Sequence, residues 1–457
     1  MSRNKPEDHD LIGRMASFMD LHMMFPLIQY LQSKDIYVQD DLNFAMLEIV
    51  RPTLMFDYML ELMGDEANDP AVVEEVNRKR DETVADLEEL TAFISPLLNL
   101  VQDQASLMMV GGAFTMENLS SEHDITEDMI SAYERFGKMS YETGSYLETI
   151  DVMKFCFELT HNNENLWGKL AAESITLKTT DDVVAAVADI EFLADRIEKG
   201  EDNNSENYHL EQLQRRSWLL HWSLFTFFKS DIQESQDPDP SLRENGAPIL
   251  AKDFPKYLKA KMIEVFLNPK NLNSIQTNCP HLLRYLSVML ICSDKKTNRK
   301  NLQTLIKVIQ QEQYNYRDPI TSFVECLLVS FDFDSAQERL RECEMVLSND
   351  YFLEHMKDEF IESAKKAIFD IYCRIHTKID TTMLSSRLGM APEEAELWIV
   401  NLIRDARLDA KIDSEQNCVI MGQHYPEIYQ QIIDKSKDLT LRSYQLVNDV
   451  KAEQQQS

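Results

Sequence analysis

The sequence predicts a mostly α-helical fold, in which a tetratricopeptide-like helical-repeat solenoid is followed by a small winged helix and a C-terminal helix. Helix formers dominate the 457 residues, and helix breakers are scarce, with 11 glycines and 14 prolines. Apolar residues recur at helical spacing along most of the chain. Near the C-terminus, two helical patterns separated by a glycine are followed by two short strand patterns.

The length leaves room for several domains, and the sequence pattern changes at three points. We predict an N-terminal helical region over 1–125 and a helical-repeat solenoid over 126–365. A winged helix over 366–422 and a C-terminal helix and tail over 425–457 would follow.

The solenoid is predicted from two stretches that follow the same helical-hairpin pattern. Small residues at fixed positions let two helices approach closely, and bulky residues fill the space to the next pair. The first copy comprises Tyr133, Phe136, Gly137, Gly144, Tyr146, Thr149, Met153 and Cys156, and the second comprises Ile320, Phe323, Leu327, Phe333, Ala336, Leu340 and Cys343. A more degenerate pair lies between them, over 166–197. Stacked pairs of this kind form a right-handed solenoid.

The winged helix is predicted from a helix, a tight turn, a second helix and a hairpin. The pattern over 381–388 indicates a short helix, Gly389 the turn, and Pro392 the first turn of the second helix. Two short strands, 409–413 and 418–421, complete the motif. The packed face of the second helix is formed by Ala395, Trp398, Ile399, Leu402, Ile403 and Ala406.

The charge of the second helix argues against reading of DNA. Its exposed positions include the acids Glu393, Glu394, Glu396 and Asp405 against the single base Arg404, and a duplex would repel them. Contact with another protein fits better, because the open edge of a hairpin offers unpaired main-chain groups. A capping domain without a partner is the alternative. The interface on this edge is predicted at Asp409, Ala410, Lys411, Ile412, Val419, Ile420 and Met421.

The last helix carries an apolar seam with a spacing of 3.5 residues, typical of a helix that packs against another. Because leaving this seam in water costs free energy, we predict a partner helix. The alternative is that the helix folds back on its own winged helix. The seam is formed by Tyr425, Ile428, Ile432, Leu439, Leu446 and Val450.

The net charge of −32, from 78 acidic and 46 basic residues, repels phosphate backbones and anionic lipid. We therefore expect no membrane contact, and weak or no direct binding of nucleic acid. Two features leave a nucleic-acid contact open. One is a basic patch over 295–300. The other is the pair of tryptophans Trp218 and Trp222 near Arg215 and Arg216, which could stack bases, although the default interpretation is a buried helix with cationic ends.

The sequence offers no motif for catalysis, a metal or a cofactor. The seven cysteines are widely spaced and form no CxxC pair, so no zinc site is predicted. HExxH, GxSxG and phosphate-cradling patterns are also missing. We predict a protein that is not an enzyme, with no catalytic residue, metal or cofactor. The odd number of cysteines and the lack of a signal peptide are typical of the cytoplasm, and a nuclear fraction is left open.

A helical-repeat body that leads into a winged helix is similar to the PCI domain. That domain occurs in subunits of the proteasome lid, the COP9 signalosome and translation initiation factor 3. Most of the chain resembles, more narrowly, the e-subunit family of eukaryotic translation initiation factor 3. The resemblance is carried by residues 218–225, 273–286, 307–312, 318–326, 331–337, 392–404 and 406–413, and more loosely by 22–31.

The resemblance implies a PCI helical part from about residue 215 and a non-catalytic scaffold subunit. Such a subunit helps assemble the pre-initiation complex on the 40S ribosomal subunit and mRNA, through winged-helix edges and C-terminal helices that contact other PCI subunits. The chain departs from the family pattern in an acidic segment from Ser230 to about Ala251, which looks like an insertion, and at Ala391, where a helix-capping side chain is expected. A subunit of the proteasome lid or the COP9 signalosome, acting in protein turnover, is the alternative.

Overall fold

Two compact units, Met1–Ala364 and Lys365–Ser457, make up the structure, which is a computed structural model. It describes residues 6–34, 36–64, 70–102, 125–200, 208–230, 232, 254–293, 299–376, 378–380, 399–401, 403–404, 410–413, 418–421 and 428–456. The predicted division into four domains is finer than these two units and stays a prediction. Among the described residues, no helix is both long and apolar enough to cross a membrane.

The first unit begins with helices α1 (Ile12–Met15), α2 (Leu21–Lys34), α3 (Gln39–Val50), α4 (Phe56–Met63) and α5 (Pro70–Gln102). Short 3-10 turns, Pro6–His9 and Ala16–Phe18, lie on either side of α1. The C-terminal part of α5 buries Ile94 and Leu97 in an apolar cluster shared with the next two helices. Its preceding turns are largely exposed and charged, so α5 is anchored mainly by its last turns.

Consecutive helices then pack pairwise, as predicted for a helical repeat. They are α6 (Glu127–Glu142), α7 (Tyr146–Thr160), α8 (Asn163–Thr176), α9 (Thr180–Lys199) and α10 (Tyr208–Phe227). Gly137 shows why a small residue is needed between α6 and α7. A Cβ at that position would lie 2.7 Å from Cγ1 of Val152 and 2.9 Å from Cε of Met153. The side chain of Thr179 and the carboxylate of Asp182 form a capping box that fixes the start of α9.

The rest of the first unit contains α11 (Phe254–Leu267), α12 (Pro269–Asn278), α13 (Leu283–Cys292), α14 (Arg299–Glu312), α15 (Pro319–Glu325) and α16 (Phe333–Ser348). The second predicted repeat falls on α15 and α16. Its residues Ile320, Phe323, Ala336 and Cys343 are fully buried, which confirms the predicted inner face. A π-helical turn, Cys326–Ser330, joins the two helices and was not predicted.

A buried ion cluster on α13 ties the N-terminus of the chain to the core. Arg284 is 2% exposed, and its guanidinium donates to Asp318 at 2.6 Å and to Asp350 at 3.0 Å. The same guanidinium donates to the carbonyl of His9 at 2.7 Å. Burial alone would lower the pKa of Arg284, but the two carboxylates raise it well above its ordinary value. Because a buried guanidinium needs hydrogen-bond acceptors, these three hydrogen bonds fix the position of the segment at His9 against α13.

Helix α17 (Lys357–Ile375) is followed in the second unit by three short strands, β1 (Lys378–Asp380), β2 (Ala410–Asp413) and β3 (Cys418–Met421). They form one antiparallel sheet in the order β1-β3-β2. Helix α18 (Ile428–Gln456) ends the chain. The helix predicted over 381–388 and most of the second helix of the winged motif lie outside the described residues.

Candidate interaction surface

The sheet of the second unit is built on a small apolar core. Ile379 on β1 and Val419 on β3 are paired in register, and both are almost fully buried. Ile399, predicted on the packed face of the second helix, is 1% exposed. Successive strand residues point to opposite faces, so Ile420 is 43% exposed beside the buried Val419. The predicted winged-helix core is therefore present in the part of it that the structure describes.

The prediction of an open edge at Val419 and Ile420 is wrong, whereas Met421 pairs only with Ala410 of β2 in the described sheet. β1 pairs with the side of β3 that faces away from β2, so β3 is the central strand and its main chain is paired on both sides from Cys418 to Ile420. The sequence pattern missed β1 because three residues are too few to show strand alternation.

The other half of the predicted edge keeps its edge position. In the described sheet, β2 pairs only with β3, so Ala410, Lys411 and Ile412 lie on an outer strand. Asp409 lies outside the described residues. An outer strand can extend its sheet with a strand from another chain. The assignment of these residues to a subunit interface stays a prediction.

Helix α18 leaves many apolar side chains uncovered in the second unit. Every side chain that the structure describes on this helix is exposed. Three residues of the predicted seam, Ile432, Leu439 and Leu446, are 58%, 63% and 66% exposed. Tyr425 and the side chains of Ile428 and Val450 lie outside what the structure describes.

The structure also shows a second apolar stripe on α18 that the seam pattern did not predict. It is formed by Tyr429, Ile433, Tyr444 and Val447, all exposed. At 3.6 residues per turn, this stripe lies roughly a quarter to a third of a turn from the seam. The 3.5-residue template selected one stripe only, whereas counting all apolar positions around the helix would have found both. An apolar surface this wide can contact two neighbouring helices.

Two buried cysteines and two buried histidines of the first unit are uncharged at neutral pH. Burial raises the pKa of Cys156 and of Cys279 to about 12, so both thiols stay protonated at neutral pH. His221 and His281 contact each other through their Nε2 atoms at 2.8 Å. Burial lowers the pKa of His221 to about 4 and that of His281 to about 3, so this pair is neutral. In the described residues, no group of three or more potential ligands could hold a metal ion.

Two family models match the chain at its two ends. Residues 10–140 match the model described as eIF3 subunit 6 N terminal domain, and residues 340–423 match the PCI domain. The second match contains α17 and the three strands.

Curated relatives match nearly the whole chain. The E-subunit of eukaryotic translation initiation factor 3 from Bombyx mori is 37% identical over 451 residues, which cover 96% of this chain and 94% of the relative. The protein of the same name from Culex quinquefasciatus is 38% identical over 446 residues, covering 95% of this chain and 93% of the relative. The Drosophila melanogaster protein of that name is 36% identical over 454 residues, covering 98% of this chain and 96% of the relative.

Proposed function

The chain belongs to the E-subunit family of eukaryotic translation initiation factor 3, and from this membership we propose that it is a non-catalytic scaffold subunit of that complex. The observation that carries the proposal is the uncovered apolar surface of α18. The free chain leaves two apolar stripes in water, and covering them with neighbouring helices removes that cost.

Two surfaces of the second unit would hold the chain in the complex. The outer strand β2 would add its main-chain groups, and the predicted interface residue Asp409 belongs to the same proposal. The seam on α18 would pack against one neighbouring helix through Ile432, Leu439 and Leu446, and the second stripe would contact another. The partners would be other subunits of translation initiation factor 3 that carry PCI domains.

The role that we propose for the assembled complex is to bring the pre-initiation complex together on the 40S ribosomal subunit and mRNA, in the cytoplasm. This chain would reach the 40S subunit through its sister subunits, because a net charge of −32 opposes direct contact with RNA. The relatives bear the name of a translation factor, so the alternative of a proteasome-lid or COP9 signalosome subunit is not favoured.

Sedimentation of a cell extract through a sucrose gradient, with a tagged copy of the chain, tests this function. We expect the tagged chain to sediment with 40S subunits, and to leave that fraction when the other initiation factor 3 subunits are depleted. Sedimentation with proteasomes and not with 40S subunits would contradict the proposal.

Reversing the charge of Lys411 to glutamate tests the β2 edge separately. The substitution leaves the strand main chain in place but reverses the charge at the proposed contact, so we expect weaker recovery of sister subunits in a pull-down. Lys154→Glu, on an exposed position of α7 outside both proposed surfaces, is the charge-matched control. Equal recovery with both variants would remove β2 from the interface.

A further inference from the structure

Three of the four tryptophans of the chain line one open cleft in the first unit. Trp167 on α8 and Trp222 on α10 pack edge to face, with ring centroids 5.0 Å apart and an interplanar angle of 86°. Trp218 lies one turn before Trp222 on the same helix. The cleft has a volume of about 720 Å³, within the range of sites that hold small ligands and side chains. All three indole side chains are half-buried, so each keeps surface open to a ligand.

The N-terminal segment forms one wall of this cleft and is fixed there by two contacts. The indole N–H of Trp222 donates to the carbonyl of Phe18 at 3.1 Å. The Phe18 ring stacks on His221, with centroids 4.5 Å apart and planes at 10°. The wall is therefore preformed, which lowers the entropy cost of binding a ligand in the cleft.

A carboxylate stands at the same wall. Asp20 lines the cleft, and one of its oxygens accepts a hydrogen bond from the hydroxyl of Tyr141 at 3.2 Å. Burial raises the pKa of Asp20, while the neighbouring His22 and the hydrogen bond from Tyr141 act in the opposite direction. Desolvation therefore outweighs the nearby donors, and a cation placed beside this carboxylate would stabilise its charge.

The charges on the other side of the cleft do not give it a net positive charge. Lys138 lies 3.9 Å from Glu164, and both side chains line the cleft, so each offsets the other. Arg215 contributes one positive charge to the lining of the cleft, and Asp20 contributes one negative charge. The cleft is thus an aromatic surface without net positive charge, on a chain whose total charge is −32.

We propose that this cleft binds an arginine side chain from a basic segment of a partner protein. The guanidinium would lie against an indole face, where cation–π attraction is strongest, and would donate to the carboxylate of Asp20. Arginine fits better than lysine, because its planar group stacks on an aromatic ring and donates to a carboxylate at the same time. The acidic surface of the chain would draw the basic segment toward the cleft.

The same tryptophans could stack the bases of single-stranded RNA, and the electrostatics decide between the two ligands. Stacking proteins of that kind add a basic groove that follows the phosphates. Here the acidic side chains of Asp20 and Glu164 share the cleft with two basic side chains, those of Lys138 and Arg215, and the chain as a whole is strongly acidic. A polyanion is repelled by this charge, whereas a basic peptide is attracted.

Fluorescence anisotropy with the full chain tests the proposal. The probe is a fluorescein-labelled peptide of alternating glycine and arginine, and the matched peptide carries neutral citrulline in place of arginine. We expect the arginine peptide to bind and to quench tryptophan fluorescence, and the citrulline peptide to bind at least tenfold more weakly. Trp218→Ala and Asp20→Asn should each weaken binding about three- to thirtyfold.

Two controls separate the cleft from general attraction to an acidic protein. Asp81→Asn removes the same charge from the exposed part of α5 and should leave binding unchanged. Trp218→Phe keeps an aromatic face and should recover part of the affinity, while thermal melting monitored by circular dichroism confirms that each variant is folded. Equal effects of Asp20→Asn and Asp81→Asn, or tighter binding of a polyuridine oligonucleotide than of the arginine peptide, would overturn the proposal.

Discussion

Helices α13 and α18 are both rich in apolar residues, but α13 is buried within the first unit and α18 is exposed. On α13, all residues from Leu283 to Ile291 are buried, including Arg284 with its two carboxylate partners. On α18, every side chain that the structure describes is exposed. An apolar pattern therefore indicates that a helix will be buried, but it does not say by what. Whether the burial occurs within the same chain depends on the neighbouring helices and charged partners that the chain supplies. We therefore assign α13 to stability and α18 to assembly.

The largest expected effect comes from breaking the ion cluster on α13. Arg284→Met should lower the free energy of unfolding by about 3–5 kcal/mol, because Asp318 and Asp350 would remain buried without their cation. Urea unfolding followed by circular dichroism measures this loss in the free energy of unfolding. Lys34→Met, which removes a more exposed pair with Glu354, is the control and should cost at most about 1 kcal/mol. Equal costs for the two variants would show that burial of the cluster adds nothing.

A close approach of helices in the first unit is tested by Gly137→Ala. The added methyl group would overlap Val152 and Met153, so we expect a loss of about 1–3 kcal/mol in the free energy of unfolding. Gly168→Ala is the matched control, because its Cβ would meet Met153 Sδ at an ordinary 3.5 Å. There the higher helix propensity of alanine should stabilise the protein by about 0.5–1 kcal/mol. Unfolding in urea distinguishes the two, and a gain for both variants would contradict the predicted tight packing.

The buried carboxylate of Glu173 gives the first unit a pH dependence. Glu173 and Asp189 share the ammonium of Lys169, and burial raises the pKa of Glu173 to about 7 in spite of that cation. Since the folded pKa lies above the ordinary value of 4.5, the folded state holds the proton more tightly. Its contribution to stability is full below about pH 4.5 and is lost as the pH rises to about 7.

Glu173→Gln should remove this dependence, because the amide does not ionise. Relative to the unsubstituted protein, the variant should gain about 1–2.5 kcal/mol in the free energy of unfolding between about pH 5 and about pH 8. Urea titrations at the two pH values measure the gain. Glu164→Gln, at an exposed position, should show no such gain, and a parallel pH profile for all three proteins would disprove the assignment.

The sequence predicted the helical repeat well because its information is local. Positions such as Gly137, Phe323 and Ala336 report on the two helices of one pair, and spacing alone placed them at the interface. The apolar seam on α18 was equally visible, since helical periodicity extends over several turns. A seam pattern does not show how many helices pack against α18, however, and it missed the stripe that includes Ile433 and Tyr444.

What the sequence could not supply depends on contacts between distant residues. β1 is too short to show alternation, and its pairing with β3 joins residues separated by the whole winged motif. The hydrogen bond from Arg284 to the carbonyl of His9 joins residues that are 275 positions apart in the sequence. A main-chain acceptor has no sequence signature. The aromatic cleft likewise combines Phe18, Trp167 and Trp222 from three segments, whereas the sequence pattern indicated a stacking surface only on α10.

The smallest expected effect on stability is also the most direct test of the account, and it is made on α18. Leu439→Asp puts a charge on the exposed seam, and Gln445→Asp puts the same charge at a polar position about a third of a turn away. Both should change the free energy of unfolding by less than about 0.5 kcal/mol.

The decisive measurement is the recovery of other initiation factor 3 subunits in a pull-down with each of these two variants. We predict that Leu439→Asp loses partner subunits at least tenfold, because a carboxylate cannot be buried between packed helices without a counter-charge, while Gln445→Asp keeps them. Full recovery of every partner with Leu439→Asp would contradict the assignment of α18 to assembly.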